Sequence, residues 1–192
     1  TSIACTPPAE ALIAGGVHAI EVTLTVPGAI DGIRQLAREL GDGHLVGVGS
    51  VILADQAQRA IDAGAKYVVS PVLRREVIDT AHRLGVPAMA AGVTPTEILD
   101  AHEAGADIVK VFPADTGGPG YIKSVLAPMP FLRLMPTGGV TPDNAGDWVK
   151  AGCVSVGIGS ALVDTKAIAA GDYQRITDNA KRAIESVRSA RG

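Results

Sequence analysis

At 192 residues and 47% hydrophobic, the chain is long enough for one sizeable core and reads as a single domain over 1–192. A net charge of -3 excludes the basic footprint of a nucleic-acid binder. No apolar run approaches the roughly 20 residues that cross a bilayer, and no leader segment is visible, so a cytoplasmic protein is expected.

In chain order, helical stretches ending in a small residue and glycine are followed at once by short β-branched runs. Residues 1–13 read as the tail of a first helix, broken early by Pro7-Pro8 and helical over 9–14. Ala14-Gly15-Gly16 leads into a strand at 17–24, and Ala29–Leu40 is helical before a strand at 45–48. A helix at 55–63 ends in Ala63-Gly64 before a strand at 67–70, and one at 74–84 ends in Gly85 before a strand at 86–90. The helix at 95–104 precedes a strand at 107–112, and a further strand is expected at 132–135. The helix at 142–151 ends in Gly152 before a strand at 154–158, and a last helix covers 172–188. Glycine after a helix takes left-handed backbone angles at little cost, so it ends helices. Thr94-Pro95-Thr96-Glu97 combines a capping hydroxyl, a proline suited to the first helical position and an early acid, and Thr141-Pro142-Asp143 repeats the theme.

Strands alternating with helices every ~20–28 residues imply βα units and a parallel sheet. The strands are almost continuously apolar, as expected when both faces are covered. Seven strands are one short of a closed (β/α)8 TIM barrel. The sequence opens at Thr1 without a methionine, and a first strand upstream of it would complete eight. A doubly wound open sheet is the alternative, but no GxGxxG follows a strand.

Unpaired charge is expensive inside such strands. Two strands nevertheless carry it. Lys110 shares a face with Ile108 and Phe112, while Glu21 shares a face with Ala19, Thr23 and Thr25, opposite Ile20, Val22 and Leu24. If the aliphatic face packs on helices, Glu21 and its threonines face the barrel interior. A buried Lys–Glu pair that merely satisfies itself is the bland reading; such pairs seldom stabilise more than apolar replacements do. A lysine in apolar surroundings has its pKa lowered, so a neutral amine can attack a ketone. A carboxylate beside it can move protons between substrate hydroxyl, carbinolamine and enamine carbon, and Glu21 is the candidate.

Pro136-Thr137-Gly138-Gly139 and Gly157-Ile158-Gly159-Ser160 follow consecutive late strands. Paired backbone amides at strand ends cradle phosphate, and TIM barrels commonly place such a site there; simple tight turns are the alternative. Gly47-Val48-Gly49-Ser50 could present backbone and a hydroxyl to a small carboxylate, or be a turn. His18, His44, His82 and His102 show no ligand spacing, so neither a metal nor another cofactor is expected. Cys5 and Cys153 have no framework or CxxC pattern and read as ordinary thiols. Trp148 reads as core or interface.

With Glu21 in Ile-Glu-Val-Thr-Leu, Lys110 in Val-Lys-Val-Phe-Pro-Ala and the Pro-Thr-Gly-Gly run, the chain resembles the 2-keto-3-deoxy-6-phosphogluconate (KDPG) aldolases. These overlap with the 4-hydroxy-2-oxoglutarate (KHG) aldolases. The resemblance runs from about Ala9 to the C-terminus. It implies a class I aldolase on a (β/α)8 barrel, usually homotrimeric, releasing pyruvate and D-glyceraldehyde 3-phosphate from a phosphorylated 2-oxo acid. It assigns Lys110 as the Schiff-base lysine and Glu21 as the general acid/base. Thr137, Gly138, Gly139, Gly159 and Ser160 match the loops holding pyruvate and phosphate. Thr25, Ser50, Pro71 and Phe112 join them as candidate substrate-binding residues. Where many members read Leu-Arg-Thr, this chain has Leu24-Thr25-Val26; the usual Gly-Ala-Gly-Thr is Gly47-Val48-Gly49-Ser50; and Ala90-Ala91-Gly92-Val93 replaces a Pro-Gly run. The first strand, which typically carries an arginine, is not in the sequence. Two other readings compete: a different phosphate-binding barrel enzyme working without an imine, and an oligomeric barrel serving as a scaffold.

Overall fold

A computed structural model describes residues 6–192, which form two compact units. Cys5 and the start of the 1–13 segment lie outside the described residues. One unit comprises 6–9 with His18–Lys110, the other Glu10–Val17 with Val111–Gly192. The first helix, α1 (Thr6–Ala14), therefore has residues in both units.

The first unit repeats one motif. Its elements are β1 (Ala19–Thr23), α2 (Ala29–Leu40), β2 (Leu45–Gly49), α3 (Ala54–Asp62) and β3 (Val68–Val69). They continue with α4 (Arg75–Arg83), β4 (Ala88–Gly92), α5 (Pro95–Glu103) and β5 (Ile108–Val111), the last as far as Lys110. The strands lie side by side in chain order, and β1 to β4 pair in parallel. Ile20 and Val22 point into the core from β1 while Ala19 and Glu21 take the other face, the alternation read from the sequence. The helices bury apolar stripes at helical spacing: Ala29, Gly32, Ile33 and Leu36 in α2. Helix α5 starts as its sequence requires. Thr94 Oγ1 accepts from Glu97 N at 3.3 Å, Glu97 Oε2 accepts from Thr94 N at 2.8 Å, and Pro95 follows the cap. For α3 the side-chain oxygen of Gln56 takes the N–H groups of Ile52 and Leu53.

In the second unit, Val111 at the end of β5 accepts a hydrogen bond from Thr137 N at 3.0 Å, next to β6 (Leu134–Pro136). Around these lie α6 (Gly118–Leu126), α7 (Ala145–Lys150), α8 (Thr165–Ala170) and α9 (Tyr173–Arg191). Helix α9 ties the unit together: Thr177 Oγ1 donates to Ala11 O at 3.0 Å, and Ser186 Oγ accepts from Gly146 N at 2.9 Å. Trp148 is buried as a core residue.

Several elements differ from the sequence reading, among them α8, where no element is expected, and α1, which takes Pro7-Pro8 into its first turn instead of breaking there. Residues 154–158 form no strand: the single bridge Thr137↔Gly157 replaces it, so six strands are present among the described residues. Gly157 interrupts this run, and a glycine inside a strand weakens its ladder. The helix expected at 142–151 starts only at Ala145, because Thr141 and Asn144 first close a reciprocal turn, Thr141 N to Asn144 Oδ1 at 2.8 Å and Asn144 N to Thr141 Oγ1 at 3.2 Å. Helix α6 lies where the sequence reading assigns no element; Pro119 sits within its first turn, where a missing N–H costs nothing.

Candidate active site

Four strands of the first unit bring together one cluster. Lys110 on β5 is 7% exposed, buried among aliphatic neighbours. Burial pushes its ammonium below the ordinary lysine range, and the facing charge of Glu21 partly opposes that shift. Glu21 on β1 retains accessible surface, but the protein crowding its carboxyl raises its pKa, with the Lys110 charge working the other way. The two groups therefore approach each other in proton affinity. A neutral amine and a carboxyl able to carry a proton are the pair that imine chemistry needs.

Strand β2, which pairs with β1, makes the room. In the β1–β2 register Glu21 faces Gly47 and Thr23 faces Gly49. A Cβ built on Gly49 would coincide with the Glu21 carboxylate, and one built on Gly47 would lie inside the Tyr67 ring. Tyr67, immediately before β3, is buried, and both that burial and the Glu21 charge keep its phenol protonated. Gly47 and Gly49 share one strand face, so period-two spacing in the sequence could have flagged them as clearances rather than as a turn. Tyr67 carried no such signal, because an aromatic opening an apolar run reads as core.

Several expected substrate contacts occupy the loops after these strands. Leu24 N donates to Gly49 O at 2.9 Å, and Thr25, exposed, shares a hydrogen bond of 2.8 Å with Thr23 through their hydroxyls. Ser50, directly after β2, has φ 62°, a left-handed conformation that costs a residue with a Cβ about 1 kcal/mol. Strain of that kind concentrates at ligand-handling loops. Pro71 follows Ser70 at the end of β3, half-buried.

In the second unit Gly138 and Gly139 both have positive φ, 92° and 72°. A Cβ on Gly139 would come within 2.6 Å of Asp115 Cβ, so this position requires glycine for space as well as for backbone. Asn144 Nδ2 donates to Gly139 O at 2.9 Å and fixes the loop. Thr137 Oγ1 sits where Gly157 lacks a side chain. Gly159 and Ser160 are exposed, and nothing lies within 4 Å of a Cβ built on Gly159. Phe112 is 40% exposed, directly after β5. Thus the second unit places Thr137 beside Gly157, and the first brings Glu21 within electrostatic range of Lys110. Among the described residues no group of three or more His, Cys, Asp or Glu side chains could hold a metal, and no helix is long and apolar enough to cross a membrane.

Comparison with known proteins follows the same lines. The profile of the KDPG and KHG aldolase family matches residues 3–179. The KHG/KDPG aldolase of Escherichia coli strain K12 is 36% identical over 183 residues, 95% of this chain and 85% of that protein. A native KDPGal structure superposes with a TM-score of 0.89 at 32% identity, covering 96% of this chain and 88% of the other. The KDPG aldolase of Legionella pneumophila, solved with pyruvate captured as a covalent carbinolamine, gives a TM-score of 0.85 at 31% identity, covering 92% of this chain and 86% of the other.

Proposed function

Since the chain belongs to the KDPG and KHG aldolase family, we propose that Lys110 and Glu21 perform its class I aldolase chemistry on 2-dehydro-3-deoxy-6-phosphogluconate. The observation that carries the assignment is the buried Lys110 amine of β5 within electrostatic range of the Glu21 carboxyl of β1. The neutral amine adds to the C2 ketone carbon, the former carbonyl oxygen takes a proton from solvent, and loss of water from this carbinolamine leaves an iminium; that proton returns to solvent when the iminium is hydrolysed. Glu21 then removes the C4 hydroxyl proton. As the C3–C4 bond breaks, its electrons pass toward the iminium nitrogen, leaving an enamine and releasing D-glyceraldehyde 3-phosphate. Protonated Glu21 returns its proton to the enamine carbon, and hydrolysis of the iminium frees pyruvate and the Lys110 amine.

The N–H groups of Gly138, Gly139 and Gly159, with the Ser160 hydroxyl, take the phosphate. Thr25, Ser50, Pro71, Phe112 and Thr137 contact the organic part of the substrate. The unphosphorylated 4-hydroxy-2-oxoglutarate is a second substrate, in keeping with the dual name of the Escherichia coli relative. The working enzyme is a cytoplasmic homotrimer of single-domain (β/α)8 subunits, as the family resemblance implies. Incubation with pyruvate and borohydride should add a reduced adduct to the peptide containing Lys110; a folded sample without that adduct overturns the assignment.

A further inference from the structure

The Glu21 side chain does not stand where its own register would put it. Its Cα pairs with Gly47, yet the far half of its side chain lies over Gly49, two residues toward the C-terminal end of β2. The space over Gly47 is filled instead by the outer edge of the Tyr67 ring, whose Cε1, Cζ and Cε2 atoms all crowd the point where a Cβ would stand. Two adjacent seats on one face of β2 are therefore open because both residues are glycine. Tyr67 occupies the first, and the carboxylate is left the second. The ring is buried and the residue's main chain is tied to β2: Tyr67 O accepts from Val48 N at 3.0 Å, and neighbouring Val68 is fully buried. It is thus a rigid block, whereas Glu21 is a flexible chain that has to be held in one rotamer to serve as a proton carrier.

We propose that Tyr67 is a positioning residue for proton transfer: its ring closes the seat over Gly47 and so holds the Glu21 carboxylate over Gly49. The two glycines of Gly47-Val48-Gly49 are on this account clearances for Tyr67 and Glu21, not an anion-binding turn. The inference rests on the aldolase assignment, and its test separates the two.

Two rates are compared on the folded chain: borohydride trapping of pyruvate, which reports imine formation at Lys110, and deuterium exchange into the pyruvate methyl group, which also needs Glu21 to carry protons. Tyr67→Leu opens the first seat. Exchange should fall by roughly tenfold or more, in line with the cost of misplacing a catalytic group by about 1 Å, while trapping stays within about twofold. Tyr67→Phe keeps the ring and should restore exchange to within about threefold of the parent. Gly47→Ala pushes the ring out of its seat and should reproduce the split, which decides the matter if the leucine variant does not fold. Parent-like exchange in Tyr67→Leu or Gly47→Ala overturns the proposal. A parallel fall of both rates does so as well, because it marks general loss of packing. An unsubstituted chain that traps no pyruvate overturns the aldolase assignment and this inference with it.

Discussion

In the first unit the candidate chemistry is borne by side chains on strands, Lys110 on β5 and Glu21 on β1, the latter in the space that Gly49 leaves open. In the second it is borne by loop backbone, at Gly138 and Gly139, whose positive φ values turn the chain after β6. The first arrangement suits bond making, since strand-borne groups inherit the rigidity of the ladder and burial tunes their proton affinities. The second suits recognition of an anion, since amide N–H groups carry no titratable proton and cannot be lost to a change of pH. Chemistry and recognition are therefore separable by substitution.

The largest effect should come from Lys110→Ala. It removes the nucleophile, and cleavage should fall by at least ~10³-fold with complete loss of the borohydride adduct. Residual trapping at another lysine would break the comparison at its strongest point.

Glu21→Gln should cost ~10²–10⁴-fold in cleavage, read as kcat, while leaving the adduct in place. It should also move the pH midpoint of trapping. Burial already depresses the Lys110 pKa, and the Glu21 charge opposes that depression. Removing the carboxylate lowers the midpoint further, so trapping should level off at a lower pH than in the parent chain. A midpoint that moves upward would contradict the pairing.

Gly139→Ala tests the other region. The new methyl group meets Asp115 and requires a left-handed residue with a Cβ. KM for the phosphorylated substrate should rise roughly tenfold, the order of one or two lost hydrogen bonds to a charged group. Turnover of 4-hydroxy-2-oxoglutarate and trapping of pyruvate should change far less. Equal losses on both substrates would dissolve the distinction between the two regions.

The smallest effect lies away from both. Asp107 resists a shift through burial, but its hydrogen bonds to the His82 ring at 2.8 Å and from Ala88 N at 2.8 Å outweigh this and lower its pKa. A carboxylate depressed in the folded state contributes stability above its unfolded pKa, and that contribution is lost as pH falls through the folded value. Because the Asp107 side chain is 43% exposed, Asp107→Asn should cost under about 1 kcal/mol near neutral pH, by denaturant unfolding. The difference from the parent should shrink in acid, with no change in trapping.

How legible each region was in the sequence follows from the same contrast. A lysine or glutamate inside an apolar strand stands out because desolvation makes it costly, so Lys110 and Glu21 could be chosen without a structure. Glycine loops are ambiguous, since the residue that frees a backbone for an anion also serves any tight turn. Thr137-Gly138-Gly139 is a candidate through its order along the chain and family resemblance, and Gly47-Val48-Gly49-Ser50 offers backbone and a hydroxyl or a turn, while its two glycines also make space for Tyr67 and Glu21.

From the sequence alone come the alternation of strand and helix, the parallel sheet, the apolar faces of the helices and the choice of Lys110 and Glu21 as candidates for nucleophile and acid. These depend on local periodicity and on the cost of burying charge, both of which operate within a few residues. The tertiary structure decided where 154–158 stops being a strand, that Thr141 and Asn144 delay α7, and that Tyr67 stands beside Glu21. Each of those depends on residues far apart in the chain or on one side chain filling the space another residue leaves empty, and no local pattern records such a vacancy.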